Sequence, residues 1–483
     1  EAGEQYVVRF KVEPGEEVIK GEGENFMKFK KLSMILSALM VATLFAGCGS
    51  STSSKEGETD EEAATSATEE TVLKIAALDG GRGVEHWNKL AEKFEESHEG
   101  VTVELTAASN LEEIIRPQIQ GGNVPDLIYL ATGRPEALTE TFINEQALHD
   151  LTNVMNMTVP GEDVTVKDKI LPGFLETSST APYGDGKVYL APLFYSPTGL
   201  FYNKGLFEEK GYEVPKTWDE FFALGDKAKS EGIYLFAYPT AGYFDSVMPA
   251  MLAASGGIEA FNKAMNYEEG FWTSDDATRV LEIIAKLKDY TEPSVVANAN
   301  GDNFKKNQQL ILDNKALFIP NGDWLPSEME DAPRADGFEW GFSAYPAFED
   351  GGDMYSYNYF EQMYIPADAA NTSLAEEFMA YMYSDEAVGI IAELGKSVVP
   401  VEGAIDIASK YLDDLQIEML SVYDNGAKPV MGGFAATEPV EGLVWNDSYI
   451  LIIDSIMNGT KTVEDWQTAL TSASDKLREA IIK

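Results

Sequence analysis

The sequence predicts an α/β fold built on a largely parallel sheet, and three segments near its start support this prediction. TVLKIAAL (71–78) is an apolar strand, VTVEL (101–105) alternates between apolar and polar residues, and PDLIYLA (125–131) is apolar enough for a buried strand. Patterns typical of helices separate these segments. Strand–helix–strand repetition of this kind is typical of α/β domains.

The helices are predicted from spacing and from capping residues. VEHWNKLAEKFEES places its apolar residues on one helical face, namely Val84, Trp87, Leu90, Ala91 and Phe94, and residues 111–120 can form a second helix. Three later helices are marked by a capping residue with an acidic residue three positions on: Thr217 with Glu220, Ser373 with Glu376, and Thr462 with Asp465. Further strands are expected at 234–239 and 315–320, and 184–192 is expected to be a tight turn leading into a strand.

An unusual segment precedes this fold. From Met27 the chain reads MKFKKLSMILSALMVATLFAGC, in which a basic start is followed by a short apolar core and small residues. This order is typical of a secretory signal peptide, and the apolar core is too short to span a bilayer as a helix. The ending LFAGC resembles the lipobox of bacterial lipoproteins. This resemblance implies that Cys48, the single cysteine of the chain, is the lipidated first residue of the mature protein.

The segments on either side of this leader are expected to lie outside the fold. Residues 1–26 precede the methionine at which a signal peptide begins, and we interpret them as an annotation artefact that is not translated. Residues 27–47 are then the lipoprotein signal peptide. Residues 48–70 are rich in Ser, Thr, Glu and Ala and lack aromatic and large aliphatic residues, so they are expected to form a flexible tether.

Composition limits the classes of ligand. The chain has 36 Lys and Arg against 81 Asp and Glu, and its formal net charge is −45. A surface of this sign repels phosphates, which argues against a nucleic-acid partner, and it disfavours anionic ligands and acidic lipid headgroups. The 3 histidines are scattered, and no nucleotide-binding or hydrolase motif is present. We therefore expect a neutral ligand, with no cofactor and no metal.

Four motifs, in their order along the chain, carry a family resemblance. LFYNKGLFEEKG is followed shortly by TWDEF, then by NKALFIPNGDW and by SLAEEFMAYMYSDEA. With the lipobox, this order resembles the maltose-binding-protein-like solute-binding proteins of bacterial ABC sugar importers. The resemblance implies a two-lobed periplasmic-binding-protein-like fold with hinge crossings near 194–198, 344–348 and 394–398. Lobe 1 would comprise 71–193 and 349–395, and lobe 2 would comprise 198–343 and 396–483.

The same resemblance implies a set of residues that bind sugar. A flat aromatic ring suits the apolar face of a sugar, and polar side chains suit its hydroxyl groups. Trp324 is the first candidate for the aromatic platform, with Asn321 and Asp323 beside it. The other implied contacts are Thr132, Arg134, Tyr243, Phe244, Asp245, Trp445, Asp79, Arg82, Phe360 and Glu361.

Structural roles are the alternatives for several of these residues. Trp324, Tyr243, Phe244 and Trp445 could be core residues, and Arg134 could be a surface charge at the start of a helix. Three further tryptophans and a tyrosine-rich run are expected to be structural: Trp87, Trp218, Trp466 and MYSYNYF (354–360), whose alternation would bury half of it.

The resemblance implies a monomeric, lipid-anchored binding protein outside the cytoplasmic membrane that delivers an oligosaccharide to permease subunits of an ABC transporter. Two other classes stay open. A secreted glycoside hydrolase needs only two carboxylates, which this acidic chain could supply. A binder of a peptide, a metal chelate or another neutral solute is the third possibility.

Overall fold

The computed structural model describes residues 7–8, 71–175, 177–299 and 303–482. The predicted artefact, signal peptide, Cys48 and tether therefore lie outside the described residues, apart from a two-residue strand. The strands are β1 (Val7–Val8), β2 (Thr71–Leu78), β3 (Val101–Ala108), β4 (Leu127–Tyr129), β5 (Ala191–Pro197), β6 (Gly199–Asn203), β7 (Tyr234–Phe236), β8 (Ala316–Asn321), β9 (Trp340–Ser343), β10 (Tyr355–Tyr364) and β11 (Lys428–Val430).

Helices connect and cover the strands. They are α1 (Glu85–Ser97), α2 (Leu111–Gln120), α3 (Leu138–Asn144), α4 (Thr152–Asn156), α5 (Val166–Lys169), α6 (Lys204–Lys210), α7 (Trp218–Ser230), α8 (Phe244–Met265), α9 (Asp275–Lys286), α10 (Val295–Asn298), α11 (Phe304–Leu312), α12 (Leu325–Glu328), α13 (Thr372–Tyr381), α14 (Asp385–Gly395), α15 (Ala404–Ala408), α16 (Asp414–Leu420), α17 (Trp445–Tyr449), α18 (Ile453–Met457) and α19 (Val463–Glu479). None of those in the described part of the chain combines the length and the apolar character of a membrane-spanning helix.

Two sheets organise these elements. From residue 71 on, the larger sheet runs in the order β3-β2-β4-β10-β11, and β5 also pairs with β10. Strands β2, β3 and β4 are parallel, as the strand–helix repetition predicts, whereas β10 is antiparallel to β4 and β5. The smaller sheet has the order β7-β8-β6-β9. The predicted α/β class is confirmed.

The chain passes from one sheet to the other within a single residue. β5 ends at Pro197 in the larger sheet, and β6 begins at Gly199 in the smaller one, so Thr198 alone separates them. Its backbone N–H and side-chain hydroxyl both donate to the carbonyl of Tyr357 on β10, at 2.8 and 2.9 Å. These bonds fix the crossing to the long strand β10.

Each sheet has its own apolar core. The first core packs β2 and β5 against α1, α13 and α14, and it includes the fully buried Trp87. The second core packs β6 and β8 against α7, α8 and α9, and it contains Trp218 and Trp466. The predicted apolar face of α1 is buried at Trp87, Leu90, Ala91 and Phe94. The structural roles expected for these three tryptophans are therefore observed.

Several details of the sequence reading need correction. The helix expected to be capped by Ser373 begins at Thr372 after Asn371, without a side-chain cap. The strand expected within 184–192 begins only at Ala191. Val398 and Val401 pack into the first core, although 396–483 was expected to belong to the other lobe. Apolar residues that follow α14 pack in the same core as that helix. The chain therefore leaves the first core later in the sequence than the resemblance implies.

Thr217 and Thr462 both cap their helices, as predicted. Thr462 accepts from the N–H of Asp465, whose carboxylate accepts from the N–H of Thr462, so both bonds of the capping box form. Thr217 accepts from the N–H of Glu220 at 3.2 Å. The Glu220 carboxylate, however, accepts from Lys216, one residue before the expected partner.

Candidate functional site

The loop after β8 presents Trp324 beside the smaller sheet. β8 is buried along its length as far as Asn321, and Leu325 after Trp324 is also fully buried, so the loop is anchored at both ends. The indole ring of Trp324 folds back over Gly322. A Cβ at Gly322 would lie 2.3 Å from a ring carbon of Trp324, so the close approach requires glycine.

Trp324 belongs to an aromatic group that we call the platform, formed by Trp324, Tyr243 and Tyr359. The Trp324 Nε1–H donates to the Tyr243 hydroxyl at 3.0 Å. The ring of Tyr359, on β10, lies 5.5 Å from that of Trp324 between centroids, and Tyr359 is 38% exposed. The platform therefore joins three separate segments of the chain and keeps aromatic surface accessible to a ligand.

Asp245 borders the platform. Its carboxylate accepts a hydrogen bond from the Tyr359 hydroxyl at 2.9 Å. The side chain has accessible surface, yet the protein groups around it remove much of its hydration, and this desolvation raises its pKa to about 6. Burial, and next the nearby charge of Asp245, raises the pKa of Tyr359 above its ordinary value. Tyr359 therefore stays a neutral donor to Asp245.

A second group, which we call the polar chain, comprises Tyr129, Glu361, Arg82, Ser196 and Asp323. The Tyr129 hydroxyl donates to Glu361, and Arg82 Nε donates to the same carboxylate oxygen at 3.4 Å. Arg82 Nη2 donates to Ser196 Oγ at 3.2 Å, and Ser196 Oγ donates to Asp323 at 3.1 Å. The polar chain thus runs from β4 of the larger sheet to the loop that carries Trp324.

An unpartnered histidine lies behind Arg82. His86 is fully buried on α1, and neither ring nitrogen has a hydrogen-bond partner among the described residues. Its ring packs edge-on against Phe194, and the Arg82 guanidinium lies 4.9 Å from the same ring of Phe194. Burial, with a smaller contribution from the Arg82 charge, lowers the pKa of His86 to about 4. His86 is therefore neutral at physiological pH.

Thr132 and Arg134 follow β4 but belong to neither group. The Thr132 N–H donates weakly to the buried Gln362 at 3.4 Å. Arg134 is held by both carboxylate oxygens of Glu112 on α2, one of them at 3.2 Å from Nη2. Glu112 has only 1% of its side chain exposed. Arg134 is also not a surface charge at the start of a helix, because α3 begins only at Leu138 and the guanidinium is paired with a buried carboxylate.

Three of the remaining expected contacts, Phe244, Asn321 and Trp445, are packed against other parts of the protein. Phe244 is wrong as a site residue, because it is fully buried and packs on Tyr238 with ring centroids 5.4 Å apart. Asn321 is also buried and accepts from the Gly322 N–H, so it supports the loop. Trp445 packs in an aromatic cluster outside the platform, stacked on Tyr449 at 5.4 Å.

Asp79 and Phe360 are both half-buried. The Asp79 N–H donates to the Ala108 carbonyl at 3.0 Å, which continues the pairing of β2 and β3. The Phe360 ring packs towards Phe174. Neither residue joins the platform or the polar chain.

Three residues of these groups, Tyr129, Tyr359 and Ser196, are not among the residues that the sequence analysis expects at the site. Tyr359 was counted within a structural tyrosine-rich run, although its place in an alternating strand could have marked it as facing away from the buried Asn358. Ser196 gave no local signal. Within the described residues, no cluster of His, Cys, Asp and Glu could hold a metal ion.

Comparisons with known proteins agree with this architecture. Residues 80–389 match the family model for bacterial extracellular solute-binding proteins. The chain belongs to this family. A diacetylchitobiose binding protein, NgcE, of Streptomyces coelicolor is 25% identical over 92% of this chain and 96% of its own length. A multiple sugar-binding protein of Streptococcus mutans is 24% identical over 78% of this chain and 83% of its own.

Solved structures extend the agreement to the fold. Apo RafE from Streptococcus pneumoniae superposes with a TM-score of 0.63, covering 85% of this chain and 98% of its own at 18% identity. A chitin oligosaccharide binding protein gives a TM-score of 0.56 over 85% of this chain and 99% of its own, also at 18% identity. The periplasmic-binding-protein-like fold is thereby confirmed. Family membership also places the protein outside the cytoplasm.

Proposed function

We propose that this protein binds a neutral oligosaccharide outside the cytoplasmic membrane and delivers it to an ABC importer. The observation that carries the proposal is the platform, in which Trp324 and Tyr359 keep accessible aromatic surface beside the carboxylate of Asp245. Aromatic faces suit the apolar C–H faces of sugars, and carboxylates accept from their hydroxyl groups. The relatives are named for several different sugars, so they support the class and leave the individual sugar open.

The proposal includes closure of two lobes around the ligand. The two cores support the division, with the correction that the segment around 398–412 belongs with the first core. A ligand that contacts both lobes binds the closed form more tightly and shifts the population towards it. Small-angle scattering should show a smaller radius of gyration with a bound sugar. An unchanged radius with a sugar shown to bind would contradict closure.

A calorimetric screen tests the binding function directly. We expect saturable binding of at least one class among chito-, malto-, xylo-, manno- and galacto-oligosaccharides, with one site per chain. The same sugars, analysed for shortened products after incubation, test the alternative of a glycoside hydrolase. The relatives named above are binding proteins, so we expect no products. Cleavage at a rate that scales with protein concentration would favour the hydrolase.

The proposal also includes a lipid anchor at Cys48, for which the support is the LFAGC motif after a basic and apolar leader. A diacylated cysteine holds a protein stably at a membrane, where a single chain does not. Cys48→Ser should move the protein from the membrane fraction to the medium. Retention of the variant in the membrane fraction would rule out this anchor.

A further inference from the structure

A small pocket lies next to the platform and has no role in the site described so far. Asp245 forms part of its wall, together with Tyr357, Phe434 and Tyr449, and its volume is about 170 Å³. Because Asp245 also accepts from Tyr359, the pocket adjoins the platform at this carboxylate. A ring bound on Trp324 and Tyr359 would therefore have the mouth of this pocket at its edge.

The polar groups of the pocket are not all committed. The Tyr357 hydroxyl donates to the Gly432 carbonyl at 2.9 Å. Tyr449 is only 3% exposed, and its hydroxyl has no hydrogen-bond partner among the described residues. That hydroxyl has almost no accessible surface, so a ligand in the pocket can contact Tyr449 only through its ring. Asp245 keeps lone pairs beyond the one that Tyr359 occupies, and it can accept a further donor.

Apart from Asn446 and two glycines, the rest of the wall is apolar. Pro249, Met265 and Ile450 line the pocket with Phe434. The Phe434 ring is wedged against Tyr449, with centroids 4.9 Å apart, and packs on other aromatic rings behind it. No lysine or arginine is among the described residues that line the pocket. The wall therefore suits a group with one hydrogen-bond donor and one apolar end, and it disfavours an anionic group.

The volume of the pocket suits a substituent of a sugar ring and is too small for a whole ring. An apolar cavity of about 150 Å³ accommodates benzene, which has six heavy atoms. The present pocket, at about 170 Å³, holds a group of similar size, whereas a second hexose ring is about twice as large. A hydroxyl or hydroxymethyl group would fit, but it would leave the apolar wall without contacts.

We propose that this pocket receives the acetamido substituent of a sugar ring held on the platform. The amide N–H donates to Asp245, and the methyl group packs on the apolar wall beside the Tyr449 ring. This inference rests on the proposed function and specifies the class of sugar, an oligosaccharide of 2-acetamido sugars.

The test compares two disaccharides with the same linkage, diacetylchitobiose and cellobiose, which differ in the acetamido groups. Calorimetry on the full chain should give an affinity for diacetylchitobiose at least about tenfold higher, as expected for hydrogen bonds and apolar contacts that cellobiose lacks.

One variant tests whether the preference arises in the pocket. Gly433 lines the pocket, and a Cβ there meets no atom within 4 Å, so Gly433→Leu adds a bulky side chain at the wall without backbone strain and should reduce the preference. Tyr449→Phe removes a hydroxyl that has almost no accessible surface and should keep the preference. Gly389→Ala, on α14 in the first core, is the matched control and should keep the preference.

The outcomes distinguish this inference from the function on which it rests. Equal affinity for the two disaccharides, or an undiminished preference in Gly433→Leu, would overturn the pocket assignment. Binding of other oligosaccharides without acetamido groups in that case would leave the proposed function standing. If no oligosaccharide binds, both are overturned.

Discussion

The platform and the polar chain differ in what their members are bonded to. In the platform, Trp324 and Tyr359 keep accessible aromatic surface, and Asp245 has a single side-chain partner. In the polar chain, Glu361 accepts from both Tyr129 and Arg82, and Arg82 also reaches Ser196. The platform can therefore bind a ligand as it stands. The polar chain can do so only by exchanging bonds that it already makes, so we expect it to orient the loops more than to supply affinity.

The largest expected effects come from a pair of tryptophans and test whether the platform is separate from the core. Trp324→Ala should weaken sugar binding by about 2 kcal/mol or more, roughly thirtyfold, because it removes an aromatic anchor. Its melting temperature should change little, since the ring is only half-buried. Calorimetry and thermal unfolding on one preparation measure both quantities.

Trp218→Ala is the matched control. Trp218 is 3% exposed and packs in the second core against Phe221, with ring centroids 5.2 Å apart. Its truncation should cost about 3–5 kcal/mol of the free energy of unfolding, with no direct effect on the ligand. A large loss of stability in Trp324→Ala, or an unchanged affinity, would show that Trp324 is a core residue.

The next effect concerns the buried histidine behind the polar chain. An unfolded histidine takes up a proton near pH 6.5, whereas His86 in the fold does so only near pH 4. Between these values the unfolded state binds more protons, so the free energy of unfolding falls as the pH falls through this window. The loss should approach about 3 kcal/mol at pH 4.

A variant isolates this contribution from others of opposite sign. The raised pKa of Asp245, about 6, makes the folded state take up a proton first, so this group favours folding as the pH falls. Comparing wild type with His86→Leu cancels the Asp245 contribution, and the acid-dependent loss should shrink in the variant. Parallel pH profiles for wild type and His86→Leu would contradict the assignment.

A smaller effect separates Arg134 from the groups that bind. Arg134→Ala leaves the buried Glu112 carboxylate without its cation, which should cost about 2 kcal/mol of stability. Affinity for sugar should stay within about twofold, because the guanidinium is committed to Glu112 and joins neither group. Denaturant unfolding and calorimetry check the two values. A tenfold loss of affinity with unchanged stability would restore Arg134 to the site.

How much the sequence could predict depends on whether the deciding contacts are local. Trp324 is implied by the family resemblance and by its place after an apolar strand and a glycine within one short segment, and its contact with a ligand stays a prediction. Phe244 was misassigned although it adjoins Tyr243, because the turn that begins α8 points one ring to the platform and the next into the core. Which of the two rings is buried depends on how α8 packs, and this cannot be read from the local sequence.

Non-local pairs account for the other errors. The partner of Arg134 lies on α2, and whether that carboxylate is buried depends on the packing of the larger sheet. The lobe boundary after residue 395 depends on which core accepts Val398 and Val401, and the apolar residues suit either one. Periodicity and capping signals therefore predicted the elements, while assignments that need two distant segments required the structure.

Ser196→Ala is the smallest expected effect and the most direct test of the polar chain. Ser196 is 7% exposed, and its partners Arg82 and Asp323 lie on loops that follow strands of different sheets. Removing Oγ breaks both bonds without changing the packing, and the loop of Trp324 loses one restraint. Affinity should fall by about 1 kcal/mol, roughly fivefold, because ordering the loop then opposes binding.

Ser356→Ala is the control. It also removes a buried hydroxyl that donates to the backbone next to the crossing, but it leaves the polar chain intact. It should lower stability without lowering affinity. If both serine variants lose affinity equally, the effect belongs to the crossing in general and the polar chain has no separate role in positioning Trp324.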